Sequence, residues 1–176
     1  MIGLLRFVGI MNAAVWFGAA VFFLLGADPA VTNSQEIKHL LGPKNFPYFS
    51  VVINHIIATR YLHLYLACSI IAVVHMMAEW LYFGRYPNRV WLGLILGLCL
   101  GGLAQTYLFQ PKLAASHRLQ YTHPQQRESA GRAFRAWRAV SLVIHTALLG
   151  GIAVYLWRVA NPSDQTRFVS TAKFRS

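Results

Sequence analysis

The sequence predicts an all-α protein: a four-helix transmembrane bundle with antiparallel neighbours, in which helices two and four extend beyond the bilayer on one side. Three observations carry this. Four stretches, 7–27, 61–78, 90–111 and 139–157, contain no Asp, Glu, Lys or Arg. Each is about as long as the roughly 20 residues that a helix needs to cross about 30 Å of hydrocarbon. A tight basic turn, Gly84-Arg85-Tyr86-Pro87-Asn88-Arg89, folds the second stretch back against the third. The hydrophobic share of 56% against 12% charged residues is that of a membrane protein.

The first helix is expected over 2–25, with Gly26, Asp28 and Pro29 ending it. Its apolar run starts almost at Met1 with the single early charge Arg6, unlike the short apolar core and basic start of a signal peptide. Residues 28–45 read as a polar connection with a Gly42-Pro43 turn. Helix two is expected from about Pro47 to Phe83, longer than one bilayer. Its first turns, with Asn54, His55 and Arg60, should stand proud of the membrane. Helix three carries Gly93, Gly97 and Gly101, four residues apart on one face, a pattern that lets helix backbones approach closely in lipid. Gln110-Pro111 is expected to end it. After a polar stretch, Thr122-His123-Pro124 reads as a helix start. From there one helix can run into the fourth span and end near Asn161-Pro162. The chain is thus one transmembrane domain, 1–162, with a short basic tail, 163–176.

Four passes put both termini and the short turn on one side, the turn side. The two longer connections lie on the other, the loop side. Basic residues divide seven to nine between the sides, so the positive-inside rule does not orient the chain. The net charge of +11 is explained by basic residues flanking spans and meeting anionic headgroups, and nucleic acid is not an expected partner. The tryptophans Trp16, Trp80, Trp91, Trp137 and Trp157 are read mostly as interfacial anchors. Cys68 and Cys99 fall inside spans as small apolar residues, with no disulfide framework.

Ionisable groups inside a membrane are costly and mark candidate sites. Helix two offers His63, His75 and Glu79, and helix four offers His145. His75 and Glu79 are four apart, suiting either a proton relay, as in a transporter, or a simple satisfied pair. Haem b between two helical histidines is the other possibility. Counted from the loop side, His63 lies about at the surface, His145 about 10 Å deep and His75 about 18 Å deep. Neither His63 nor His75 is then level with His145, so no haem or other cofactor is expected. His39, His55, His63, His117 and His123 map to the loop side without HxxxH or HxH spacing, and no metal site is expected. Phe134, Arg138, Ser141 and His145 share one face of helix four at 100° per residue. Arg138, with Arg135 and Arg127, is a candidate contact for lipid or a partner. No nucleophile–base pair, phosphate loop or carboxylate dyad is readable, so no enzymatic activity is expected.

Several motifs together resemble a known family. Trp16-Phe17-Gly18 with Phe22-Phe23 and Asp28-Pro29-Ala30 resembles its first helix and exit. Phe46-Pro47-Tyr48-Phe49 through Tyr61-Leu62-His63 resembles its second helix. Phe109-Gln110-Pro111-Lys112 resembles the end of its third, and Phe134-Arg135-Ala136-Trp137-Arg138-Ala139-Val140-Ser141 the entry to its fourth. The family is the transmembrane protein 205-like group, a four-helix domain of unknown function. The resemblance implies architecture rather than activity. It maps a frequent family histidine onto His63, but places Arg138 where the family often has another. The expected role is that of an accessory or structural subunit packing with other integral membrane subunits, in a bacterial inner membrane. The alternatives are an electron-transfer protein binding haem or another small ligand, and a proton-coupled transporter.

Overall fold

The computed structural model describes residues 2–83 and 89–161. The turn at 84–88 and the tail lie outside the described residues. The elements in chain order are α1 (Ile2–Val21), a π-helical turn (Phe22–Ala27), α2 (Asp28–Asn33), α3 (Gln35–Leu41), α4 (Phe46–Phe83), α5 (Arg89–Ala104), a second π-helical turn (Gln105–Phe109), α6 (Gln110–Thr122), a 3₁₀ turn (Pro124–Gln126) and α7 (Arg127–Ala160). Four rods result, each long and apolar enough to cross a membrane: Gly3–Asn33, Phe46–Leu81, Arg89–Thr122 and Arg127–Ala160. The chain is an all-α, four-pass integral membrane protein.

The rods form a closed ring. α1 packs on α4 and α7, α4 on α5, and α5 on α7. Chain direction alternates around that ring, so every packed pair is antiparallel. Side chains such as Phe7, Val15, Ile70, Val74, Leu100 and Val143 stay exposed around the girdle. Such an apolar outer surface suits lipid rather than water. One cation–aromatic pair sits towards each membrane boundary: Arg158 lies 5.1 Å from the Trp91 ring, and Lys112 4.5 Å from Trp137.

Two expected helix ends do not occur. Asp28-Pro29 and Gln110-Pro111 lie within continuous rods, so all four rods, not only two and four, extend on the loop side. The reason is local. Proline cannot supply an N–H and crowds the preceding turn. A π-turn inserts one extra residue and relaxes the ladder at that point. The Asp28 N–H reaches back five residues to the Phe23 carbonyl, and the Gln110 N–H to that of Gln105. Each proline then occupies the first turn of the helix that follows. The next helix start is conventional: the Ser34 hydroxyl accepts the Ile37 N–H at 3.2 Å and caps α3. Gly42, with φ of 73°, makes the corner into α4.

The bundle centre is aromatic. Trp16, expected at an interface, is instead fully buried, edge-on to Tyr65 at 5.0 Å and to Tyr155 at 5.9 Å. The Tyr65 hydroxyl donates across the bundle to the Leu98 carbonyl at 3.0 Å. Asn12 donates from α1 to the Cys68 carbonyl at 3.0 Å.

The glycine expectation for helix three needs correction. Gly93 and Gly97 face outward, and a Cβ on either meets nothing within 4 Å. Gly101 does pack, against Leu148. The close approaches otherwise fall to Gly102 under Tyr65, Gly151 against Leu98, and Gly9 under the His75 ring. The spacing correctly identified a small-residue face, but the helix is rotated so that two of its three glycines point away from the bundle. Gly97→Leu is therefore expected to leave the thermal midpoint of the purified protein unchanged within about 2 °C, as befits a surface site.

Candidate functional site

On the loop side, below the two π-turns, the rods part around a cleft of about 270 Å³, near the small end of ligand sites. It exists because polar side chains face inward there. The π-turn in the first rod sets Asp28 towards α4 and α7. Asn54 Nδ2 donates to Asp28 Oδ1 at 2.6 Å, and Arg138 Nη2 lies 3.5 Å from Asp28 Oδ2. His55 Nδ1 lies 2.9 Å from Gln110 Oε1, joining α4 to α6. Phe134, Arg138, Ser141 and His145 line the α7 wall.

The inner end is a closed network. Gln105 Nε2 donates to the Ser141 carbonyl at 3.0 Å, and the Ser141 hydroxyl donates to Gln105 Oε1 at 3.1 Å. His145 Nδ1 lies 2.9 Å from the same carbonyl. Its ring sits 5.5 Å from Phe23 and 5.8 Å from Tyr61, centroid to centroid. At the other end the His117 ring stacks on Tyr48 at 5.2 Å and lies 5.4 Å from Phe134. Phe134 and His145 are about 16 Å apart along α7 at 1.5 Å per residue, so the cleft is elongated along the bundle axis. Leu142, half exposed on the outer face, also lines it. The cleft therefore reaches the lipid-facing surface.

Five buried side-chain atoms among the described residues have no hydrogen-bond partner, and three belong to residues lining this cleft: Asn54 Oδ1, His117 Nε2 and His145 Nε2. Buried polar atoms are normally paired. Their concentration around one cavity marks it as the place where something else supplies the partner.

The residues singled out in the sequence do not converge. His145 and Arg138 belong to the cleft. His63 is exposed on the outside of α4. His75 lies at the opposite end of the bundle, where its Nε2 sits 3.0 Å from the Leu5 carbonyl. Its Nε2 is 4.0 Å from Glu79 Oε1, and that carboxylate is half exposed. The expected depth of His75 is thus corrected. α4 is staggered so that His75 faces Leu5, near the turn-side boundary, while His145 lies beside Phe23. Leu5 and Phe23 are about 27 Å apart along the first rod. No two of His63, His75 and His145 therefore face each other across the bundle. Arg127 and Arg135 are exposed on the loop-side extension of α7, away from the cleft. Among the described residues no group of three His, Cys, Asp or Glu is close enough to hold a metal ion.

Sequence reasoning missed Asp28, Asn54, His55, Gln110 and His117 as members of one site. Each is polar and close to the end of an apolar stretch, which is the one signal that could have gathered them. No family model, characterised protein or solved structure matches the chain.

Proposed function

We propose that this protein is a non-enzymatic integral membrane protein that binds a small amphiphilic molecule in the loop-side cleft. One observation carries the reading: unpaired buried polar atoms gather around a single cavity that also opens towards lipid. Polar and apolar side chains share its walls, which suits a molecule with a small polar head and an apolar body. The test uses native mass spectrometry of the protein extracted in mild detergent. A bound molecule of discrete mass is expected. Ala114→Trp, which fills the cleft, should cut its occupancy about tenfold, the effect of about 1.4 kcal/mol. Equal occupancy in the variant defeats the reading.

A second reading, an accessory subunit packing in a larger membrane assembly, draws support from the outward face of α5, where Gly93 and Gly97 are exposed. Under it, Gly97→Leu alters the size of the native assembly while sparing the fold of the single chain. We also propose kinship with the transmembrane protein 205-like group, on the motifs quoted above.

A further inference from the structure

The hydrogen-bond directions in the cleft specify which kind of polar head it takes. A carbonyl or carboxylate oxygen can only accept. The nitrogen facing it must therefore carry the hydrogen. His145 turns Nδ1 to the Ser141 carbonyl, so Nδ1 is the protonated nitrogen of a neutral ring and Nε2, on the far edge, is a bare acceptor. His117 leaves its Nε2 unpaired among the rings of Tyr48, Tyr121 and Phe134. Asn54 commits its amide nitrogen to Asp28, leaving Oδ1 unpaired. Asp28, the carboxylate lining the cleft, is engaged by Arg138 and Asn54 rather than by either ring.

Of the three unpaired atoms, His145 Nε2 and Asn54 Oδ1 are thus acceptors, and a ligand that pairs with them must bring donors. Carboxylates, ketones and ethers can accept from Arg118 on the wall, but they offer only acceptors and leave His145 Nε2 and Asn54 Oδ1 unsatisfied. An ammonium offers donors but meets Arg138 and Arg118 on the walls, while the lone carboxylate, Asp28, is already engaged by Arg138 and Asn54. A neutral hydroxyl satisfies both conditions. We propose that the ligand is a neutral amphiphile whose head presents hydroxyl groups to His145 Nε2, Asn54 Oδ1 or His117 Nε2. This rests on the ligand-binding reading of the cleft. Two sources share the chemistry: a glycerol-headed lipid and a phenolic or quinol lipid.

The test compares each hydroxyl compound with its own methyl ether, which has the same shape class but no donor. The full chain in phosphatidylcholine nanodiscs is titrated calorimetrically with 1-O-decylglycerol, decylhydroquinone and their dimethyl ethers. At least one hydroxyl compound is expected to bind about tenfold or more tightly than its ether, and which one does so identifies the source. His145→Phe keeps the ring contacts with Phe23 and Tyr61 but removes the acceptor. His117→Phe removes the unpaired Nε2 at the other end. One of the two variants should bring the ratio below about threefold. Ethers that bind as tightly as the hydroxyl compounds overturn the donor inference but leave the cleft reading standing. A ratio unchanged in both variants also overturns it. No saturable binding by any of the four compounds overturns both.

Discussion

Gly102→Leu should lower the thermal midpoint by about 10 °C, a loss of about 3 kcal/mol. A Cβ at this position lands inside the van der Waals envelope of the Tyr65 ring and within 3.3 Å of Leu66. Tyr65 cannot give way cheaply. It is 1% exposed, packed edge-on against Trp16, and tied by its hydroxyl to the Leu98 carbonyl. The larger side chain must push α5 from α4 or evict the ring and break that bond. In lipid, helices associate through close packing rather than by escape from water, so a forced separation has little to offset it. The comparison with Gly97→Leu isolates the cause. Both change glycine to leucine on the same helix, and only one glycine is covered. Equal melting of the two variants would refute the packing described for α5.

Trp16→Ala should cost about 3 kcal/mol. Trp16 is wholly buried where α1, α4 and α7 meet, in contact with Tyr65 and Tyr155. Truncation leaves a void in a close-packed interior, and the lining atoms lose their dispersion partners. The loss falls at the lower end for a tryptophan, because the membrane-inserted unfolded chain also keeps the side chain out of water. Trp16→Phe should recover about half, as it refills part of the space. The check is thermal or denaturant unfolding in detergent micelles. An alanine variant as stable as the parent would mean that this aromatic cluster does not hold the bundle together.

The four spans were legible because charge is expensive in hydrocarbon, and the uncharged stretches mark the rods directly. The α7 wall of the cleft was legible for a different reason. Phe134, Arg138, Ser141 and His145 lie on one continuous helix, where 100° per residue suffices to group them. Its partners were hidden because they come from other rods. Nothing in a linear reading sets the stagger between antiparallel helices, and without it Asp28 cannot be brought level with Asn54 and Arg138. The same ignorance misplaced His75. It lies opposite Leu5 rather than deep in the bilayer. The helix ends at Asp28-Pro29 and Gln110-Pro111 failed because proline looks the same whether it stops a helix or follows a π-turn. Gly93, Gly97 and Gly101 were legible as a face but not as an inward one. Both orientations of α5 satisfy the spacing, and the neighbouring helices choose between them.

The π-turn at Phe22–Ala27 gives chain length a meaning that composition does not have. Beyond it, every side chain is displaced by about 100° from where an unbroken helix would hold it. Asp28 meets Asn54 and Arg138 only after that displacement. A variant with new residue types at Phe22 or Leu25, both exposed to lipid, keeps the phase. A variant one residue shorter within the turn drops the inserted residue, resumes the α-helical ladder and keeps the carboxylate on target. A residue removed from α1 with the turn kept instead shifts the carboxylate by about 100° against the part of α1 that precedes the deletion, although no residue of the site has changed. In this rod, counting residues matters more than choosing them.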